Sequence, residues 1–150
     1  MDEVIQRFRE HNVRYLLMGG QAVRLAGLPR FSMDWDFYLP PRDGENFRRI
    51  AAALGEELDL PLEPLGQRGE NAIQTYQTRW GVIQFHLGGP GLPPFDTAES
   101  RAEEKKTESG TPVKCLGLPD LLDSKLRAGR PQDLQDAEFL KRLGTTNGRK

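Results

Sequence analysis

The residues of this chain best able to do chemistry together are Asp34 and Asp36, which bracket Trp35 inside the run Met33–Leu39. On a β-strand successive side chains alternate faces, so Asp34 and Asp36 project together while Trp35, Phe37 and Leu39 project into a core. Two carboxylates held side by side repel each other unless positive charge lies between them. A divalent cation meets that need, and oxygen-only ligands favour Mg²⁺ or Mn²⁺. The plainer alternative is a pair of solvated acids on a half-exposed strand, against which stands the depletion of Asp from strands. Upstream, Gly19-Gly20 directly follows the apolar run Tyr15-Leu16-Leu17-Met18. Glycine supplies the backbone freedom for leaving a strand and entering a helix at once, and its missing side chain lets a phosphate approach the amides. Arg30 and Ser32 lie between the two features. An arginine there can meet phosphate or simply pair with a surface acid.

These groups need elements to position them. Val13–Met18 reads as a buried strand, Gln21–Ala26 as a short helix stopped by Gly27 and Pro29, and Met33–Leu39 as the Asp-bearing strand stopped by Pro40-Pro41. Before them, Asp2–His11 places Val4, Ile5 and Phe8 at helical spacing, with Asp2 as cap or first-turn acid. After them, Asp43 is placed to cap a helix over Glu45–Leu58, whose Phe47, Ile50, Ala51 and Leu54 form an apolar stripe. Residues 59–71 read as loop, with room for one short strand near Leu62. Ile73–Thr78 and Val82–Leu87 alternate apolar and polar residues around Arg79-Trp80-Gly81, which predicts a hairpin. In its second strand Ile83, Phe85 and Leu87 share one face, and Gln84 and His86 share the other. The charged stretch Asp96–Lys106 reads as helix, Val113–Leu116 as a last strand, Leu118–Ala128 and Asp133–Leu143 as helices broken by Gly129-Arg130-Pro131. The expectation is an α/β or α+β fold, a small mixed β-sheet flanked by helices. One domain over residues 1–143 with a frayed tail over 144–150 completes that reading.

Composition narrows the class. The chain has 150 residues, 37% hydrophobic and 29% charged, with a formal net charge of −1. That is long enough for one real core and ordinary for a globular protein, and it carries no global basic signal for nucleic acid. Cys115 is the single cysteine, so an internal disulfide and a cysteine-based zinc site are excluded. No apolar run approaches the roughly 20 residues of a membrane helix, and the acidic start Met1-Asp2-Glu3 lacks the apolar core of a signal peptide. The cytoplasm is the expected location.

A Gly-Gly turn after a strand, then a helix, then Asp-x-Asp on the next strand resembles the signature of the nucleotidyltransferase superfamily typified by DNA polymerase beta. The interval from Gly20 to Asp34 sits at the long end of that family's range. The resemblance implies a Mg²⁺- or Mn²⁺-dependent enzyme that takes a nucleoside triphosphate, with Asp34 and Asp36 on metal and Gly19 and Gly20 on phosphate. It also implies a third carboxylate on a neighbouring strand, three acids bracketing two metals roughly 3.5–4 Å apart. Here Gln84 takes that place, with His86 beside it. An amide oxygen is a poor Mg²⁺ ligand and cannot act as a base. His86 could serve as base or as ligand to a softer metal, or be a histidine satisfied at the sheet rim.

The segment Leu121–Asp136 contains Lys125, then Arg130-Pro131-Gln132-Asp133-Leu134-Gln135-Asp136. It is similar to the C-terminal signature of bacterial nucleotidyltransferases of the abortive-infection toxin type and of related small domains, and extends the resemblance over Val13–Leu143. By that resemblance Lys125 reaches the nucleotide phosphates, Asp133 and Asp136 cap or brace the last helix, and Arg130 adds charge near the site. Without it, Lys125 is an exposed helix lysine and Asp133 a helix cap. The function implied is transfer of a nucleoside monophosphate to a hydroxyl of RNA, tRNA included, or of a partner protein, in a toxin–antitoxin or phage-defence setting. The alternative is a catalytically impaired module of the same fold that binds nucleotide or a protein partner without turnover. A single-metal hydrolase or nuclease is a third reading, with no second motif behind it.

Overall fold

The computed structural model describes residues 1–29 and 31–147. Six strands form one mixed sheet: β1 (Leu16–Met18), β2 (Asp34–Tyr38), β3 (Ile73–Thr78), β4 (Gly81–His86), β5 (Glu103–Lys106) and β6 (Pro112–Cys115). Their order across the sheet is β3-β4-β2-β1-β6-β5. β2 runs parallel to β4 and β1 parallel to β6, and the other neighbours are antiparallel. The helices are α1 (Asp2–Glu10), α2 (Gly19–Leu25), α3 (Gly44–Leu54), α4 (Phe95–Ser100), α5 (Leu118–Ala128) and α6 (Pro131–Asn147). The expected mixed sheet with flanking helices is therefore what the chain forms. None of the described helices is long and apolar enough to cross a membrane.

Alternation on the two central strands separates core from cleft. Phe37, Ile83 and Phe85 are fully buried on one face. Phe8 of α1 packs there, 5.3 Å from Phe37 and 6.4 Å from Phe85 between ring centroids. Edge-on aromatic contacts of this kind add to the area they bury. The opposite face of the same strands carries Asp34, Asp36, Gln84 and His86, and the parallel register sets Asp36 directly beside Gln84.

Several boundaries differ from the sequence expectation. The first strand is only Leu16–Met18, not Val13–Met18, because a side chain replaces the strand ladder at Arg14. Asn46 accepts the Arg14 N–H (2.7 Å) and donates to the Arg14 carbonyl (2.9 Å). Asp2 lies inside the first turn of α1, where its carboxylate accepts from the Thr107 and Thr111 hydroxyls at 2.8 and 2.9 Å. Asp43 does cap α3, accepting the Asn46 N–H. That helix ends earlier than Leu58, at Gly55 with φ +58°, followed by a 3-10 turn over Gly55–Glu57. Residues 58–72 contain no strand at Leu62, although Leu62 is buried.

The charged stretch Asp96–Lys106 is not one helix. Phe95–Ser100 is helical, but Glu103–Lys106 pairs antiparallel with Pro112–Cys115 as the sheet's edge. Pairing with a buried strand overrides helix propensity here, and charges suit an edge that must not recruit another strand. α6 starts at Pro131, two residues before Asp133, and continues through Gly144 to Asn147 rather than stopping at Leu143. Proline is preorganised for a first helical position. Asp133 then falls at the third helical position, where its carboxylate accepts the Arg130 backbone N–H at 3.2 Å.

Candidate active site

β1 passes into α2 without an intervening loop residue, and Gly19 makes the turn with φ +69°. A Cβ added there would stand 2.5 Å from Asp36 Oδ2. The glycine thus serves two needs at once, a left-handed backbone and room for the neighbouring strand's carboxylate. α2 also holds the approach to β2. Gln21, 4% exposed, donates through Nε2 to the Ser32 carbonyl at 2.7 Å, while Arg24 Nε donates to Gln21 Oε1 at 2.7 Å. Ser32 in turn donates to the Asp34 carbonyl at 3.4 Å. The glycine helix and the Asp strand are therefore one braced unit.

The cleft above this unit has a volume of about 600 Å³ and is lined by Gly19, Gly20, Ser32, Asp34, Asp36, Gln84, His86, Lys125 and Arg130, among others. All the described candidates from the sequence thus meet in one place, and Arg30 lies outside the described residues. The loop Gly88–Leu92 forms a further wall, anchored nearby by the Tyr38 hydroxyl, which donates to the Pro93 carbonyl at 2.6 Å. The far wall is the α5–α6 corner.

Two contacts within the cleft were not expected from the sequence. His86 Nε2 lies 2.8 Å from Asp36 Oδ1, with side chains only 13% and 14% exposed. That contact orients the imidazole against the Asp36 carboxyl. Lys125 is not an exposed lysine. It is 7% exposed, and its Nζ lies 3.2 Å from Asp133 Oδ1 and 3.0 Å from Asp136 Oδ2. Arg130, on the cleft rim, donates to Asp133 from Nε at 2.7 Å and from Nη2 at 3.3 Å. Burial opposes the charge on Asp133, but hydrogen bonds from Arg130 and Lys125 outweigh it and hold that carboxyl below its ordinary range. Asp133 and Asp136 do brace α6, as expected, but they do so through Lys125.

No protein-family model matches the sequence, and no curated protein matches it. Solved structures do match in shape. The aminoglycoside nucleotidyltransferase ANT(2'')-Ia, seen in complex with adenylyl-2''-tobramycin, superposes with a TM-score of 0.59 at 16% identity over 98% of this chain and 94% of its own. TM1012 of Thermotoga maritima, a proposed nucleotidyltransferase, gives 0.55 at 14% identity over 96% and 89%. JHP933 from Helicobacter pylori gives 0.51 at 19% identity over 93% and 62%. The chain has the nucleotidyltransferase fold.

Among the described residues, no group of three or more His, Cys, Asp or Glu side chains is arranged to hold a metal ion. Asp34 and Asp36 remain as a carboxylate pair on one wall. Mg²⁺ is commonly bound in that way, by one or two carboxylates with substrate phosphates and water completing the shell. Gln84 stands beside Asp36, where a third acid was expected from the resemblance, and contributes no charge.

Gly19→Ala tests whether Asp36 depends on the room that Gly19 leaves. Gly129 is left-handed too, with φ +69° and ψ +7°, but a Cβ there meets only ordinary contacts at 3.7 and 3.9 Å. Gly129→Ala is expected to cost only the backbone term, roughly 1–2 kcal/mol. Gly19→Ala should cost about 1–3 kcal/mol more, because Asp36 must also move. Equal losses in urea unfolding would show that the close approach carries no energy.

Proposed function

We propose that this chain transfers a nucleoside monophosphate from a nucleoside triphosphate to an acceptor hydroxyl, with Asp34 and Asp36 holding a divalent cation. One observation carries the reading: the Gly19-Gly20 turn and the Asp34/Asp36 pair share one cleft wall, with the Asp36 carboxylate packed where a Gly19 side chain would be. In the reaction the acceptor oxygen bonds to the α-phosphorus, the bond from that phosphorus to the bridging oxygen breaks, and pyrophosphate leaves. A cation bound there supplies charge neutralisation for the triphosphate and polarises its phosphoryl oxygens. Gly19 and Gly20 leave backbone amides accessible to phosphate. The Asp36–His86 pair is the group on that face able to take the acceptor's proton, since Gln84 is not basic.

The acceptor classes implied are RNA, tRNA included, and protein. The antibiotic product bound to ANT(2'')-Ia adds a small polyhydroxylated molecule as a third. A toxin–antitoxin or phage-defence role, acting in the cytoplasm where NTP and Mg²⁺ are available, rests on the resemblance of the two motifs alone. Gln84 in place of an acid favours a second reading, a module that binds nucleotide without turnover.

The test is incorporation of labelled nucleotide into total tRNA, into the protein itself and into aminoglycosides, for the parent, Gln84→Asp and His86→Ala. The parent is expected to label one acceptor, and His86→Ala to lower the rate by about 10²- to 10⁴-fold, the size of a general-base contribution. Gln84→Asp should tighten cation binding. Parent activity that survives His86→Ala would assign the proton elsewhere. Silence in all three with nucleotide binding intact would leave the binding-module reading.

A further inference from the structure

We propose that Arg130 is the rim side chain that takes the triphosphate, and that Lys125 is the fixed counter-charge that frees Arg130 to do so. The inference rests on the nucleotide-binding reading above and concerns the same cleft. Lys125 has three N–H donors, of which one faces Asp133 and one Asp136. The side chains of those carboxylates are 2% and 0% exposed. Swinging the ammonium out to a phosphate would pull it away from two buried carboxylates at once, which is unfavourable.

Arg130 is in the opposite position. Its side chain is 78% exposed, and it sits on the cleft rim. Asp133 engages Nε and Nη2, and a guanidinium has five N–H donors in a planar fork matched to phosphate. If Arg130 leaves Asp133, that carboxylate still accepts from Lys125 Nζ and from the Arg130 backbone N–H. No buried charge is stranded, so the arm can exchange a carboxylate for a phosphate. Arg130 also responds to Asp36 across the cleft. Its basicity is raised first by the hydrogen bonds it donates to Asp133 and by that carboxylate's charge, and further by the charge of Asp36. A triphosphate in the cleft would lie between those two walls.

The measurement is calorimetric affinity for ATP and for AMP, with Mg²⁺, of the parent, Arg130→Gln, Arg130→Lys and the Asp34→Asn/Asp36→Asn pair. Arg130→Gln is expected to weaken ATP about 10- to 100-fold, the effect of a lost charge-assisted phosphate contact. It should leave AMP within about twofold, and because Asp133 keeps Lys125 and the Arg130 backbone N–H, the variant should stay folded at the assay temperature. Arg130→Lys should recover part of the ATP affinity, as a point charge without the fork. A purely structural Arg130 would shift both nucleotides equally. ATP affinity unchanged in Arg130→Gln, but lost in the Asp pair, overturns this inference and leaves the nucleotide site standing. A parent that binds no ATP overturns both.

Discussion

Replacing Asp34 and Asp36 together by Asn is expected to abolish Mn²⁺ binding and to lower nucleotidyl transfer at least about 10³-fold, the size of losing several kcal/mol of transition-state charge stabilisation. The two carboxylates share one strand face, stand half-buried at the cleft wall and, among the described residues, have no third acid grouped with them. Asn keeps their shape and removes their charge. The same exchange should not destabilise the protein without cation, because it relieves like-charge repulsion on one face. A paired readout therefore separates site from scaffold. Mn²⁺ should raise the melting temperature of the parent and leave that of the double variant unmoved, as linkage requires for a ligand that binds only the folded chain. Equal Mn²⁺ titrations in the two proteins would sink the cation site.

Lys125→Ala is expected to cost about 3–5 kcal/mol of stability, the penalty for removing one partner of a buried ion-pair network. That is a large share of the roughly 5–15 kcal/mol that hold a typical domain together. The ammonium lies between Asp133 and Asp136, and truncation leaves those carboxylates facing each other across a void. Lys125→Met should fare little better, since it restores volume and not charge. Lys125→Met combined with Asp136→Leu should recover most of the loss, because Asp133 keeps Arg130. Urea unfolding of the four proteins measures this. A loss under about 1 kcal/mol in Lys125→Ala would return it to the class of exposed lysines. A lysine that merely reached out to phosphate would instead change nucleotide affinity and leave stability alone.

The sequence by itself determined which residues could act and which face each occupies. Alternation places Asp34 with Asp36 and Gln84 with His86, and that pattern is local, read from neighbouring residues alone. The Gly19-Gly20 turn, the Ile73–His86 hairpin and the break at Gly129-Arg130-Pro131 are equally local, and the structure has each of them. The Asp43 cap follows from backbone groups that every helix start leaves open.

Tertiary structure decided what each of those residues touches. That β2 lies parallel to β4 and antiparallel to β1 depends on the path of the chain between strands, and it alone brings His86 to Asp36. Asn46 shortens the first strand from across 32 residues, as no local pattern announces. Glu103–Lys106 has helical composition and becomes a strand because β6 offers it a partner. Lys125 shows most plainly what packing adds. Its type and spacing read equally well as a phosphate ligand or a surface lysine, because a charge's energy depends on the groups and water around it rather than on its neighbours in sequence. Only the packing of α5 on α6 encloses it between Asp133 and Asp136, and the same packing leaves Arg130 as the exposed charge on the rim.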